Sequence, residues 1–126
     1  NGSIAAPAPT PAPTPTPTPT TPTSAVTSQT VATLQSPWAM VFLPDGRLLV
    51  TERGGNLRVV TQDGAVGSPI TGLPAISVGG QGGLLDVALD PAYAANGLIY
   101  VSFSEADSTG VGLAVARGRL QVTAQG

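Results

Sequence analysis

The sequence predicts an all-β domain built as an antiparallel meander of the propeller type, following a segment without regular structure. Short hydrophobic runs alternate with turn signals rich in Gly, Pro, Asp and Asn. No window of ten residues or more has a convincing 3.6-residue periodicity, so no long helix is expected. An apolar run ending at Pro or Asp occurs twice, about 45–50 residues apart, which is the length of a propeller blade.

The first 30 residues form a low-complexity segment in which proline alternates with alanine or threonine from Pro7 to Thr23. Each proline fixes φ, removes a backbone donor and disfavours helix at the preceding residue. No large apolar side chain between these two residues can offset the entropy cost of ordering. We therefore expect a disordered Thr/Pro-rich linker over 1–30, and a partial propeller domain over 31–126.

The first blade is predicted to follow this linker. Residues 31–34 form a short strand or the end of one, and four further strands separated by turns are predicted at 38–43, 47–52, 57–61 and 65–70. The run 38–43 is nearly all apolar, which is typical of a strand covered on both faces. Trp38 is accordingly expected to pack between blades.

A long connection at 71–83 leads to most of a second blade, with strands predicted at 84–89, 98–104 and 111–120. A turn at 90–97 and a polar loop at 105–110 separate these strands. Successive turns of a meander lie at alternate ends of its strands. The connection 71–83, the turn at Arg53 and the loop 105–110 are therefore expected at one end.

The long connection contains the stretch Gly79-Gly80-Gln81-Gly82-Gly83 directly before a predicted strand. Glycine permits positive φ and close approach of the backbone to a ligand. A carboxamide on such a loop is well placed to meet a bound molecule, and a tight connection with an incidental glutamine is the alternative. The spacing does not match a dinucleotide-binding fingerprint, and no helix is predicted after it.

Composition excludes several classes of function. The chain has 126 residues with five Lys+Arg, seven Asp+Glu and a net charge of −2, so no basic surface for nucleic acid is expected. The absence of cysteine excludes disulfides and thiolate metal sites. The apolar run 38–43 is far shorter than the roughly 20 residues that span a bilayer. No signal peptide or initiator methionine is visible, which favours a processed chain or a fragment.

Four blocks of sequence carry a family resemblance: PWAM at 37–40, LPDGRLLVTER at 43–53, GQGGLLDVALDP at 80–91 and IYVSF at 99–103. They resemble the soluble aldose sugar dehydrogenases that depend on pyrroloquinoline quinone (PQQ), which belong to the glucose/sorbosone dehydrogenase family. The resemblance covers residues 31 to about 120. The second and third blocks together are quite specific, whereas either alone would be weak.

The resemblance implies a six-bladed β-propeller, of which about two blades are present here, with PQQ over the axial end and calcium nearby. Family members oxidise the C1 hydroxyl of an aldose sugar to a lactone. A histidine base takes the hydroxyl proton, hydride passes to the quinone, and an external electron acceptor reoxidises the cofactor. One PQQ contact carries over to this sequence, namely Gln81. An amide donor on a glycine-rich loop suits a tricarboxylate that also has quinone oxygens.

The chain also departs from the family pattern, because it contains no histidine. The resemblance places the catalytic histidine, the PQQ-binding arginines and the calcium ligands beyond residue 126. No catalytic or metal-binding residue is therefore assigned here, and the fragment alone is expected to be inactive.

Other polar residues are candidates for the same end of the domain. Asp86 could serve the axial site or bond to local backbone. Arg53 could approach an anionic cofactor or be solvated, and Glu105 and Asp107 could help to bind a cation or be solvated.

An alternative function is a non-catalytic propeller module that binds a ligand or partner at the end of a Thr/Pro stalk. Linkers of this composition commonly tether exported domains to a membrane anchor or another module. We therefore expect a periplasmic or secreted protein that can be lipid-anchored.

Overall fold

The computed structural model describes residues 2–21 and 24–124. Residues 1, 22 and 23 of the predicted linker, and 125–126 of the predicted propeller part, lie outside the described residues. The strands, in chain order, are β1 (Pro37–Phe42), β2 (Leu48–Glu52), β3 (Asn56–Val60), β4 (Leu84–Leu89), β5 (Leu98–Asp107) and β6 (Gly110–Arg119). One short helix, α1 (Tyr93–Asn96), lies between β4 and β5.

The strands form two three-stranded antiparallel sheets, in the orders β1-β2-β3 and β4-β5-β6. This arrangement confirms the predicted all-β meander. The connection from β1 to β2 is a turn at the predicted glycine and aspartate residues. There Gly46 has φ 87°, and the Asp45 carboxylate accepts a hydrogen bond from the backbone N–H of Arg47 at 3.0 Å.

The hydrophobic core lies between the two sheets, where β4 packs against β1 and β2. Its buried members are Leu43, Leu49, Leu57, Val59, Leu84, Val87, Ile99, Val101, Phe103 and Leu120. The buried hydroxyl of Thr51 joins the sheets, because it donates to the backbone oxygen of Leu85 at 2.6 Å and accepts from Ala39 N–H at 3.0 Å. Both partners lie where the strand pairing is irregular. Ala39 borders the register shift after Pro37 in β1, and Leu85 lies within the shift between Leu84 and Val87 in β4.

The strand predicted at 65–70 is not formed as a regular strand. Val66 makes only an isolated bridge to the end of β3, and Gly67 and Ile70 each donate one backbone hydrogen bond to that strand. Pro69, between the two donors, has no N–H and interrupts the ladder. The segment therefore follows the edge of the first sheet without extending it.

The short strand predicted at 31–34 is also wrong, since no strand or helix is assigned among the described residues before Pro37. This part of the chain is held by single hydrogen bonds rather than by a ladder. Gln35 N–H donates to the Glu52 carboxylate at 2.7 Å, and the backbone oxygen of Ser36 accepts from Arg53 N–H at 2.9 Å.

Strand β1 has alternating exposure among the described residues, whereas its sequence predicts cover on both faces. Trp38, Met40 and Phe42 are 49, 58 and 57% exposed, whereas Ala39 and Val41 pack against the core. Trp38 does not pack between the two sheets, because it lies on the face that no described element covers. A second exposed apolar row, on β6, consists of Val111, Leu113 and Val115.

The polar loop predicted at 105–110 is shorter in the structure. Strand β5 continues to Asp107 and β6 begins at Gly110, so Ser108 and Thr109 alone connect them. The Asp107 carboxylate stabilises this hairpin by accepting from Thr109 N–H at 2.7 Å and from Gly110 N–H at 3.2 Å. None of the helices in the described part of the chain has the length and apolarity needed to cross a bilayer.

Candidate functional site

The glycine-rich stretch folds into a tight turn at residues 79–83. Gly82 N–H donates to the Gly79 oxygen at 2.7 Å, and the reciprocal bond is 3.4 Å long. Gly80 has φ 54°, whereas Gln81 does not have a positive φ. A positive φ at the first central residue alone is the pattern of a type II′ turn, which requires glycine there. The glycines therefore place Gln81 at the tip of the turn.

The Gln81 side chain is exposed at this tip. Within residues 2–21 and 24–124, its carboxamide makes no hydrogen bond to another protein group. A carboxamide offers two N–H donors and one acceptor oxygen. All of these are available to a ligand, although the assignment of Gln81 as a cofactor contact stays a prediction.

Arg53 lies directly beside the turn, at the end of β2. Its Nη1 donates to the Gly80 oxygen at 2.5 Å and makes a longer contact of 3.4 Å with the Gly82 oxygen. The backbone oxygen of Arg53 accepts from Leu84 N–H at 3.0 Å. These bonds confirm that Arg53 and the glycine-rich turn share one end of the domain.

Gly83 closes the turn in a position where a side chain does not fit. It has φ 153°, and a Cβ atom there would overlap the backbone oxygen of Arg53 and lie 2.7 Å from its Cγ. The need for glycine at this position arises from the close approach of the β2 end to the start of β4.

Ser104 supports the turn from the second sheet and was missed by the sequence analysis. Its hydroxyl accepts from Gly83 N–H at 3.2 Å, and its N–H donates to the Gly83 oxygen at 2.9 Å. Its own backbone oxygen accepts from Ser77 N–H at 2.8 Å. Ser104 is 3% exposed. A serine at the end of an apolar strand was the sole sequence signal for this contact.

Asp86 and Asp107 form hydrogen bonds with residues close to them in the chain. The Asp86 carboxylate accepts from Val87 N–H at 2.8 Å, which confirms the prediction of a bond to local backbone. Hydrogen bonds from Thr109 hold the pKa of Asp107 below its ordinary value. Among the described residues, no group of three or more His, Cys, Asp or Glu is placed to hold a metal ion.

Glu52 is a buried carboxylate immediately before Arg53, and its sequence predicts no role for it beyond its strand. It is 2% exposed and accepts from Arg58 Nε at 2.8 Å, Asn56 Nδ2 at 3.0 Å and Gln35 N–H at 2.7 Å. Burial raises the pKa of this carboxyl, but the hydrogen bonds and the charge of Arg58 outweigh burial and lower it. Glu52 thus fixes the β2–β3 turn and the chain before β1.

Replacing Glu52 with glutamine in the whole protein is expected to lower the free energy of unfolding by roughly 3 kcal/mol, because it leaves Arg58 without its anionic partner. Chemical denaturation measures this change. The matched control is Asp45→Asn, which breaks an ion pair of the same 2.8 Å length whose carboxylate side chain is 51% exposed, against 2% for Glu52, and little change is expected. Equal effects of the two substitutions would contradict the role given to Glu52.

The same carboxylate gives a pH dependence. Since the pKa of Glu52 is lower in the folded than in the unfolded state, its contribution to stability is complete above the ordinary glutamate pKa of about 4.3. The contribution is lost as the pH falls through the lowered folded-state pKa. Denaturation series below about pH 4.3 should therefore show a weaker loss of stability in Glu52→Gln than in the unsubstituted protein.

Comparison with known proteins places this geometry in context. The sequence model of the Glucose / Sorbosone dehydrogenase family matches residues 34–126. The chain is 45% identical over 89 residues to the aldose sugar dehydrogenase YliI of Escherichia coli K12, covering 69% of the chain and 24% of that relative. It is 41% identical over 98 residues to the uncharacterized protein slr1608 of Synechocystis. This match covers 68% of the chain and 24% of that relative. The chain thus spans about a quarter of the length of these relatives.

Two solved structures have a similar fold. The apo form of the soluble aldose sugar dehydrogenase from Escherichia coli is 44% identical with a TM-score of 0.67, over 70% of this chain and 26% of that one. The PQQ-bound aldose sugar dehydrogenase from Streptomyces coelicolor is 33% identical with a TM-score of 0.66. This match covers 74% of this chain and 27% of that one. These matches show that the two sheets have the fold of the N-terminal part of a β-propeller.

Proposed function

This chain belongs to the glucose/sorbosone dehydrogenase family, and we propose that the whole protein is a quinoprotein that oxidises the C1 hydroxyl of aldose sugars to lactones with PQQ. A sugar oxidoreductase function is supported at the level of the family by the relatives. One solved neighbour is a PQQ-bound aldose sugar dehydrogenase. The finer reaction, the sugar and the electron acceptor are part of the proposal.

The observation that carries the proposal is the exposed, unpaired carboxamide of Gln81 on the 79–83 turn. PQQ has three carboxylates and quinone oxygens, so the group it requires from the protein is a hydrogen-bond donor free of competing partners. The Gln81 Nε2 atom meets this requirement, because no described residue accepts from it. At Gly79 and Gly80 the space that a side chain would occupy is open, since a Cβ atom there would meet nothing within 4 Å.

The role of this chain's residues is to hold and orient the cofactor. A bound PQQ would supply the hydride acceptor for oxidation of the sugar at C1. Gln81 would hold one of its oxygen atoms, and the glycine backbone would let the ring approach the turn. The chain contains no histidine. We therefore propose that the base, the PQQ-binding arginines and the calcium ligands belong to other parts of the whole protein, and that this chain alone is inactive.

The domain organisation and location are proposed from the sequence. We propose residues 1–30 as a Thr/Pro-rich linker, and 31–126 as the first blade and most of the second. The linker composition supports an exported protein, periplasmic or secreted, with a lipid anchor or another module attached through the linker. An external electron acceptor completes the catalytic cycle.

The test is dye reduction by the whole protein with glucose and a panel of other aldoses, before and after addition of PQQ and calcium. A rate that requires PQQ is expected with at least one aldose, and no rate is expected from residues 1–126 alone. The absence of a PQQ-dependent rate with every aldose would contradict the proposal and favour the non-catalytic propeller module.

A further inference from the structure

We propose that Arg53 is a positioning residue, which fixes the backbone of the 79–83 turn from which the Gln81 side chain extends. The inference rests on the proposed function, since it gives Gln81 a cofactor to meet. It assigns to Arg53 a role in cofactor affinity that does not require contact between its guanidinium and the cofactor.

The tip of the turn has little packing of its own. A Cβ atom at Gly79 or Gly80 would meet nothing within 4 Å, and Gln81 is exposed. Glycine backbone is also the most flexible in a protein, so ordering it has the largest entropy cost. A fixed position for the backbone of Gln81 is therefore favoured by an external hydrogen-bond donor to the turn.

Arg53 provides this donor at the residue before Gln81. Its Nη1 lies 2.5 Å from the Gly80 oxygen and 3.4 Å from the Gly82 oxygen, so one guanidinium nitrogen contacts the backbone on both sides of Gln81. A hydrogen bond from a charged donor is stronger than one between neutral groups. The other bonds of the turn lie at its base, between Gly79 and Gly82 and from Gly83 to β5.

The backbone of Arg53 is itself held on two sides. Its N–H donates to the Ser36 oxygen at 2.9 Å, and its oxygen accepts from Leu84 N–H at 3.0 Å. Its neighbour Glu52 is fixed by three further hydrogen bonds. The guanidinium therefore extends to the turn from a rigid position, which is what a supporting residue of a binding site needs.

The first experiment compares Arg53→Met and Arg53→Lys in the whole protein by equilibrium titration of the apoprotein with PQQ. Both variants are expected to raise the Kd for PQQ roughly tenfold, because methionine has no donor and the lysine ammonium ends one bond short of the position of Arg53 Nη1. Far-UV circular dichroism and the Tm should stay close to those of the unsubstituted protein. Arg47→Met is the matched control, because Arg47 also donates to a backbone oxygen, that of Thr123 at 2.7 Å. The Kd of this variant for PQQ should not differ from that of the unsubstituted protein.

A double-mutant cycle with Gln81→Ala separates positioning from direct contact. If Arg53 acts through Gln81, adding Arg53→Met to Gln81→Ala should change the Kd by less than about twofold. Independent, multiplicative effects would overturn the inference, as would an Arg53→Lys variant that binds PQQ as tightly as the unsubstituted protein. Unchanged binding by Arg53→Met would overturn the inference alone, whereas failure of the unsubstituted protein to bind PQQ would overturn the proposed function.

Discussion

Replacing Gly83 with alanine in the whole protein is expected to weaken PQQ binding roughly a hundredfold and to lower the free energy of unfolding by about 3 kcal/mol. The new Cβ would overlap the Arg53 backbone oxygen at φ 153°, so either the end of β2 or the turn must move. Movement of the turn would break the bonds of Gly83 to Ser104 and displace Gln81. Chemical denaturation and PQQ titration measure the two effects.

The matched control for this substitution lies in the same turn. At Gly79 a Cβ would meet nothing within 4 Å, and φ is not positive. Gly79→Ala should therefore change stability by no more than about 0.5 kcal/mol and leave the Kd for PQQ within a few-fold of its original value. If the two alanine variants behave alike, the turn is not under the constraint described here.

Replacing Gln81 with alanine is expected to raise the Kd for PQQ roughly tenfold to a hundredfold without changing stability. A hydrogen bond to a charged group contributes about 1.5–3 kcal/mol, which corresponds to this range of affinity. Stability should not change, because the exposed carboxamide has no partner among the described residues. Gln81→Glu should have a larger effect, since it places a carboxylate against a tricarboxylate ligand.

The control for Gln81 is Gln62→Ala. Gln62 is also a glutamine in a turn, but its Nε2 donates to the Gly46 oxygen at 2.8 Å, in a different turn of the chain. Its substitution should leave PQQ binding unchanged. Equal Kd values for Gln81→Ala and the unsubstituted protein would contradict the assignment of Gln81.

The sequence predicted most strands because their hydrophobic runs and turn residues are local signals. Strand β4 has the predicted bounds, and the other regular strands differ from theirs by a few residues at the ends. The segment 65–70 could not be assigned correctly from apolar content, because the loss of one N–H at Pro69 decides whether the ladder forms. The exposure of Trp38 depends on which elements cover β1, which the local sequence does not encode.

The candidate site was predicted in part for the same reason. Gln81 stands out because four glycines surround it, and the alternation of turns brought Arg53 to the same end. Ser104 was not found because its partner Gly83 is 21 residues away in the chain. Glu52 was not found because its burial depends on packing between the sheets, although its partners Asn56 and Arg58 are close in sequence. Gly83 looked like any loop glycine until the structure placed the Arg53 backbone against it.

The most direct test of this account is a crystal structure of the whole protein with PQQ bound. The account predicts that Gln81 Nε2 lies about 2.7–3.2 Å from an oxygen atom of PQQ, with the bond from Arg53 to the Gly80 oxygen retained. A structure in which PQQ is bound and the Gln81 carboxamide is directed into bulk solvent, beyond hydrogen-bond reach of the cofactor, would contradict it.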